Sequence, residues 1–217
     1  MISQSLAANT TIIVWGGLLI LVAGLALLTY FLNKRREDVW KSFARKHHCR
    51  YELTEEGPRV SGNYSGHPFV LLIPPDSSDT GIMAVEEVRL VMTFDDTKLP
   101  SDIQIHSATG FVGELQRSLE AHRVSFEDDE LFDQNLVVTS EDAQAVQRCF
   151  SSNCREVLLN LVKLHPEANL KIRSGEAAIQ IRTAISEKSQ LENMLESLSQ
   201  VVHFISSARS EGVGGDE

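Results

Sequence analysis

The stretch Ala168–Thr183, ANLKIRSGEAAIQIRT, decides the fold class. Leu170, Ile172, Ile179 and Ile181 fall on one side of an extended chain. Lys171, Arg173, Gln180 and Arg182 fall on the other. That period of two is the pattern of a half-buried strand, and Ser174-Gly175 between the two runs marks a hairpin turn. The reading is therefore an antiparallel sheet with one dry and one wetter face. Just downstream, from Ser189 to Ala208, Leu191, Leu195, Leu198, Val202 and Ile205 recur at three- and four-residue steps, with Met194 and Val201 beside them. Such an amphipathic helix covers the dry face of a sheet, and the alternative is an exposed stripe that docks a partner helix.

Working upstream, Pro58–Tyr64 and His67–Ile73 flank Ser65-Gly66 and read as another hairpin, broken after by Pro74-Pro75-Asp76-Ser77-Ser78. Val85–Phe94 alternates, and Ser101–Ala108 places Ile103 and Ile105 in register. Gly110–His122 has helical spacing through Phe111, Leu115 and Leu119, and Asn135–Thr139 is a short strand. Thr139-Ser140-Glu141-Asp142 opens a helix with a Thr or Ser cap; Ser151-Ser152-Asn153 interrupts it, and a second helix stops at His165-Pro166. Hairpin links with helices later in the chain mean α+β, without the alternation of a doubly wound fold. No glycine-rich phosphate loop follows a strand, which argues against the usual nucleotide sites.

At the other end of the chain, Thr11–Leu32 (TIIVWGGLLILVAGLALLTYFL) is 22 residues without a charge. At roughly 1.5 Å per residue it reaches about 33 Å, the thickness of a hydrocarbon core. Trp15 and Tyr30 sit near its ends, as interfacial aromatics do. The basic cluster follows the run, the reverse of a signal peptide. The positive-inside rule then puts residues 1–10 outside and everything after the span in the cytoplasm, so the span lies in the inner (cytoplasmic) membrane. Gly16, Gly17, Ala23, Gly24 and Ala26 form no clean small-xxx-small motif. The organisation reads as a short outer segment 1–10, a transmembrane helix 11–32, a basic juxtamembrane helix 33–50, an acidic α+β domain 51–208 and a disordered tail 209–217.

Charge separates these parts. Residues 1–33 carry none; residues 34–50 hold seven Lys/Arg and two acids; residues 51–217 hold thirteen Lys/Arg and 28 acids. A body so acidic argues against a phosphate-tracking nucleic-acid surface, and no nucleic-acid partner is expected. The membrane-facing set is Trp15, Tyr30, Lys34, Arg35, Arg36, Trp40, Lys41, Arg45 and Lys46. In the helix Glu37–His48, Val39, Trp40, Phe43, Ala44 and His47 share one face. Either Trp40 and Phe43 dip into anionic lipid, or that face docks onto the domain. Three cysteines, Cys49, Cys149 and Cys154, are too few for a disulfide framework and fit a reducing compartment.

From Phe126 to Ile205 the order is an acidic turn ending in Phe132-Asp133, a strand, a capped helix, Arg155 with Val157-Leu158-Leu159, a hairpin and a long helix. With Val60-Ser61-Gly62 and Gly66 upstream, this resembles an uncharacterised bacterial domain family that follows a single N-terminal transmembrane helix. The family carries Thr-Gly-Asp before the Phe-Asp pair, where this chain has Glu127-Asp128-Asp129-Glu130. The resemblance implies an anchored α+β domain and no activity.

Few residues invite chemistry. Glu127, Asp128, Asp129, Glu130 and Asp133 could hold a hard cation, with Asp128, Asp129 and Asp133 the candidates, but the run lacks the ligand alternation and glycine of a calcium loop. A solvated turn with Asp133 on backbone donors is the simpler account. His47, His48, Cys49, Cys149 and Cys154 are zinc-type ligands at spacings zinc sites do not favour. Ser61, Ser65 and Cys154 lie in no nucleophile signature. No cofactor is expected. The sequence therefore reads as a membrane-tethered, non-enzymatic interaction or assembly domain, working with the bilayer and with a protein partner or copies of itself. A ligand-binding sensor or enzyme, and an anionic-lipid binder acting through the basic helix, are the alternatives.

Overall fold

Nine side chains line up across one sheet: Tyr51, Val60, Leu71, Leu90, Ile179, Leu170, Ile105, Val138 and Val124 are successive cross-strand partners. The eight from Val60 onward are at most 2% exposed. Burying each contributes roughly 1.5–3 kcal/mol, and a one-residue slip would turn the whole row to the other face, so the register is strongly specified. The computed structural model describes residues 2–74, 87–95, 102–108, 122–173, 175–182, 185 and 187–207; the side chains of 2–14, 16 and 33 stand outside that description.

The strands are β1 (Arg50–Leu53), β2 (Pro58–Tyr64), β3 (His67–Leu72), β4 (Glu87–Thr93), β5 (Ile103–Ser107), β6 (Arg123–Val124), β7 (Leu136–Thr139), β8 (Asn169–Arg173) and β9 (Glu176–Arg182). Among the described residues they form one sheet, ordered β1-β2-β3-β4-β9-β8-β5-β7-β6. All of its pairings are antiparallel. Its edges are strands of four and two residues, short enough to offer little template for another chain. The opposite face runs Arg59, Leu72, Arg89, Gln180, Asn169 and His106 across neighbouring strands and is wetter, as the alternation foretold.

Helices cover the dry face. Among the described residues the helices are α1 (Ile2–Lys46), α2 (Glu130–Asn135), α3 (Ala143–Cys149), α4 (Ser152–Leu164) and α5 (Lys188–Ser207). α5 lies on β4 and β9 and packs against α4 and the end of α1. It buries Leu191, Met194, Leu195, Leu198, Val201, Val202 and Ile205, so the C-terminal stripe is core rather than a free docking face. The α+β reading holds: an antiparallel sheet under helices, behind one long apolar N-terminal helix.

Several boundaries move. The basic helix ends at Lys46, not near residue 50, and Arg50 already belongs to β1. The break is a left-handed turn at His48, φ 53°. The cap of α3 is Asp142, whose carboxylate accepts from Ala145 N at 2.9 Å, and not Thr139 or Ser140. Ser151 caps α4. The helical segment 110–121 and the tail 209–217 lie outside the described residues.

Candidate functional site

α1 is continuous from the uncharged run into the domain. Its described apolar side chains between Trp15 and Leu32 point outward, Leu19 and Ile20 at 68% and 77% exposure. Eight residues past Leu32 one face of the same helix is buried: Trp40 and Phe43 are at 0% and Ala44 at 2%. The choice left open by the sequence is thereby made, because the apolar face of 37–48 docks onto the domain. Trp40 is corrected from a lipid-facing residue to a core residue, and Phe43 does not dip into lipid. Lys34 and Arg35 are exposed, and Lys41 bonds Glu37 at 2.6 Å while lying 5.5 Å over the Tyr51 ring.

The junction is fastened to α5 by charge. Lys46 meets Glu192 at 2.9 Å and Lys188 meets it at 3.6 Å. His47 packs between the rings of Phe43 and Tyr64, with Nε2 3.9 Å from Glu192. Burial lowers the His47 pKa, against the pull of Glu192. Burial pushes Glu192 up, but the Lys46 hydrogen bond and the Lys46 and Lys188 charges bring it below the usual carboxylate range. A Cβ at Gly62 would overlap the Cys49 sulfur, so β2 approaches the end of α1 as closely as only glycine allows.

The acidic turn is a structural knot. Asp133 accepts from Phe126 N at 2.9 Å and from Ser125 Oγ, and Asp129 caps α2 by accepting from Phe132 N at 3.1 Å. Arg155, 8% exposed at its side chain, donates Nη2 to Asp128 at 2.7 Å and Nε to Asp129 at 3.0 Å. Its Nη1 donates to the Phe150 carbonyl at 3.3 Å, and its guanidinium lies 5.0 Å over the Phe126 ring. Asp128, Asp129 and Asp133, the candidates for a hard cation, are thus held by protein donors, with Asp133 on a backbone N–H. Each carboxylate is already engaged, Asp128 and Asp129 by a buried positive charge and Asp133 by Phe126 N and Ser125, and no group of three His, Cys, Asp or Glu among the described residues converges on a metal position.

The other chemical candidates are dispersed. Cys154 is buried and its thiol is pushed up to about 12 by burial, with Cys149 adding to the rise, so it is no thiolate nucleophile. Burial raises Cys49 as well. Ser61 lies within β2 and Ser65 in a left-handed turn, φ 52°. His47 and Cys49 stand in the turn between α1 and β1, distant in sequence from Cys149 and Cys154.

Two clefts open on the described surface. One, of about 330 Å³, lies where α1 leaves the apolar run, between Tyr30, Lys34, Arg36 and Glu37 on the helix and Leu53 and Pro58 on the sheet edge. The other, of about 460 Å³, lies between Leu164, His165 and Pro166 and the Gln190 and Asn193 positions of α5. Leu53 and Pro58 escaped the sequence reading. The available signal was one leucine, 66% exposed in the fold, in the otherwise polar stretch 50–57.

No family model matches this chain, and no curated protein matches it. A solved structure does: the crystal structure of the mycobacterial trehalose monomycolate transport factor A, with a TM-score of 0.55 at 12% identity, over 80% of this chain and 94% of that one. At that identity the likeness is one of fold.

Proposed function

We propose that this chain is a membrane-tethered, non-enzymatic assembly domain, held at the cytoplasmic face of a bacterial inner membrane and working in a protein complex or as a homo-oligomer. The observation that carries it is α1. One helix is long and apolar enough to span a bilayer and, eight residues further on, supplies core residues Trp40, Phe43 and Ala44. The domain is thereby fixed to its anchor by packing rather than hung on a linker.

Orientation follows from charge: seven Lys/Arg in residues 34–50 stand on the side that the positive-inside rule keeps in the cytoplasm. A non-enzymatic role is favoured by the chemistry of the candidates, since the buried cysteine is protonated and the paired aspartates are bound to Arg155. The structural neighbour, a transport factor by name, is in keeping with a membrane-associated, non-enzymatic role. The test is affinity purification of the C-terminally tagged chain from solubilised membranes. A stoichiometric protein partner, or recovery of a differently tagged second copy, supports the reading; recovery of the chain as a lone monomer refutes it.

A further inference from the structure

The cleft at the foot of the membrane helix sits at a particular depth. Leu32 ends the apolar run. Lys34 and Arg36 lie roughly 3 and 6 Å further along the axis, at about 1.5 Å per residue. The headgroup layer adds about 5–8 Å to each side of the hydrocarbon core, so both cations fall within it. Across from them, Leu53 and Pro58 come from the β1–β2 edge, and Tyr30 closes the membrane side. Leu53 and Tyr30 are 66% and 59% exposed. The cleft therefore has an apolar wall toward the acyl layer and two cations toward the water.

Charge identifies the occupant. Glu37, the acidic residue in the lining, is bound by Lys41 at 2.6 Å. Arg36 is half-buried; burial lowers its pKa against the pull of Tyr51, and an anion in the cleft would add to that pull. A neutral or zwitterionic headgroup gains less from that pair than an anionic one.

We propose that this cleft holds one anionic phospholipid of the adjacent leaflet, its phosphate between Lys34 and Arg36 and its first acyl carbons against Tyr30 and Leu53. The proposal rests on the reading that α1 spans the bilayer, and it makes the lipid a fixed part of the anchor rather than a diffuse charge partner.

The test is native mass spectrometry of the full chain released from nanodiscs of phosphatidylcholine doped with phosphatidylglycerol. One phosphatidylglycerol should be retained per chain, in excess over phosphatidylcholine. The double variant Lys34→Gln/Arg36→Gln should lower retention roughly thirtyfold, and Lys34→Gln alone, at an exposed position, about fivefold. Arg35→Gln removes the same charge outside the cleft and should leave retention unchanged. Equal loss in Arg35→Gln, or equal retention of phosphatidylcholine, overturns the proposal. Displacement by millimolar glycerol phosphate also overturns it, since a soluble phosphate is then the occupant. Alkaline carbonate extraction separates the two readings: an extracted chain sinks the spanning helix and the cleft with it, whereas an integrated chain without bound phosphatidylglycerol sinks only the cleft.

Discussion

Replacing Arg155 with alanine should cost about 3 kcal/mol, because the side chain ties three segments together at low exposure. Its partners divide by burial. The Asp128 side chain is 71% exposed, and a pair so wet contributes at most about 1 kcal/mol. The Asp129 side chain is 24% exposed, and its pairing with a buried guanidinium carries more, about 1.5–3 kcal/mol for a charge-assisted bond. The Phe150 carbonyl, on a residue at 0% exposure, loses a donor as well. For a domain of this size 3 kcal/mol corresponds to a fall in Tm of about 6–12 °C. Arg155→Lys keeps the charge but loses the fork that reaches both carboxylates and the carbonyl, and should recover less than half of the loss. Asp128→Asn should cost under about 1 kcal/mol. The assay is thermal unfolding of the full chain in detergent, followed by circular dichroism. If Arg155→Ala and Asp128→Asn melt at the same temperature, the guanidinium is not what organises the acidic turn.

Trp40→Ala should cost about 3–5 kcal/mol in the same melt, since it opens a cavity under a side chain at 0% exposure; a wild-type Tm would place Trp40 in lipid after all. Gly62→Ala should destabilise by about 1–3 kcal/mol through its overlap with Cys49, and adding Cys49→Ala, which removes the sulfur, should restore part of that loss. Acid should weaken the fold in two windows. His47 and His165 have lowered pKa values from burial, so the unfolded chain takes up protons first; stability is full above about pH 7 and falls as pH drops through about 6.5. His47→Gln should flatten part of that slope in urea titrations at pH 7.5 and 5.5. Glu192, held low by Lys46 and Lys188, contributes only above the carboxylate range and is lost below about pH 4.5. Cys154 should resist maleimide at pH 7.5 in the folded chain and react at once in urea; labelling of the native thiol would contradict its burial.

The sheet and its cover were legible because their signals are local. Alternation at Leu170, Ile172, Ile179 and Ile181 lies within one hairpin, the helical stripe from Leu191 to Ile205 within one helix, and these side chains are buried in the fold. The strand order was not legible. β5 joins β8 and β7, and β4 joins β9, through pairings between segments tens of residues apart, which no period of two or 3.6 encodes. The same holds for the knot. The acidic turn reads as a solvated or cation-binding run until Arg155, 26 residues beyond Asp129, is brought onto it by the packing of α2 on α4. The resemblance pointed at Phe132-Asp133 and at Arg155 without saying that the two regions meet. The face of 37–48 was ambiguous for a physical reason: Trp40 and Phe43 suit a lipid interface and a protein core equally well, and only the position of the sheet decides between them.

The central claim is that one unbroken helix both crosses the membrane and forms part of the core. Hydrogen–deuterium exchange on the full chain in nanodiscs tests it directly. The account predicts slow exchange running without interruption from residue 17 to residue 44, protected by lipid up to Leu32 and by packing from Trp40, with residues 33–39 slowed by the helix that joins them. Rapid exchange confined to 33–39 would mean a flexible hinge between anchor and domain, and exchange at 17–32 that does not change when lipid is removed would mean that the helix does not span the membrane.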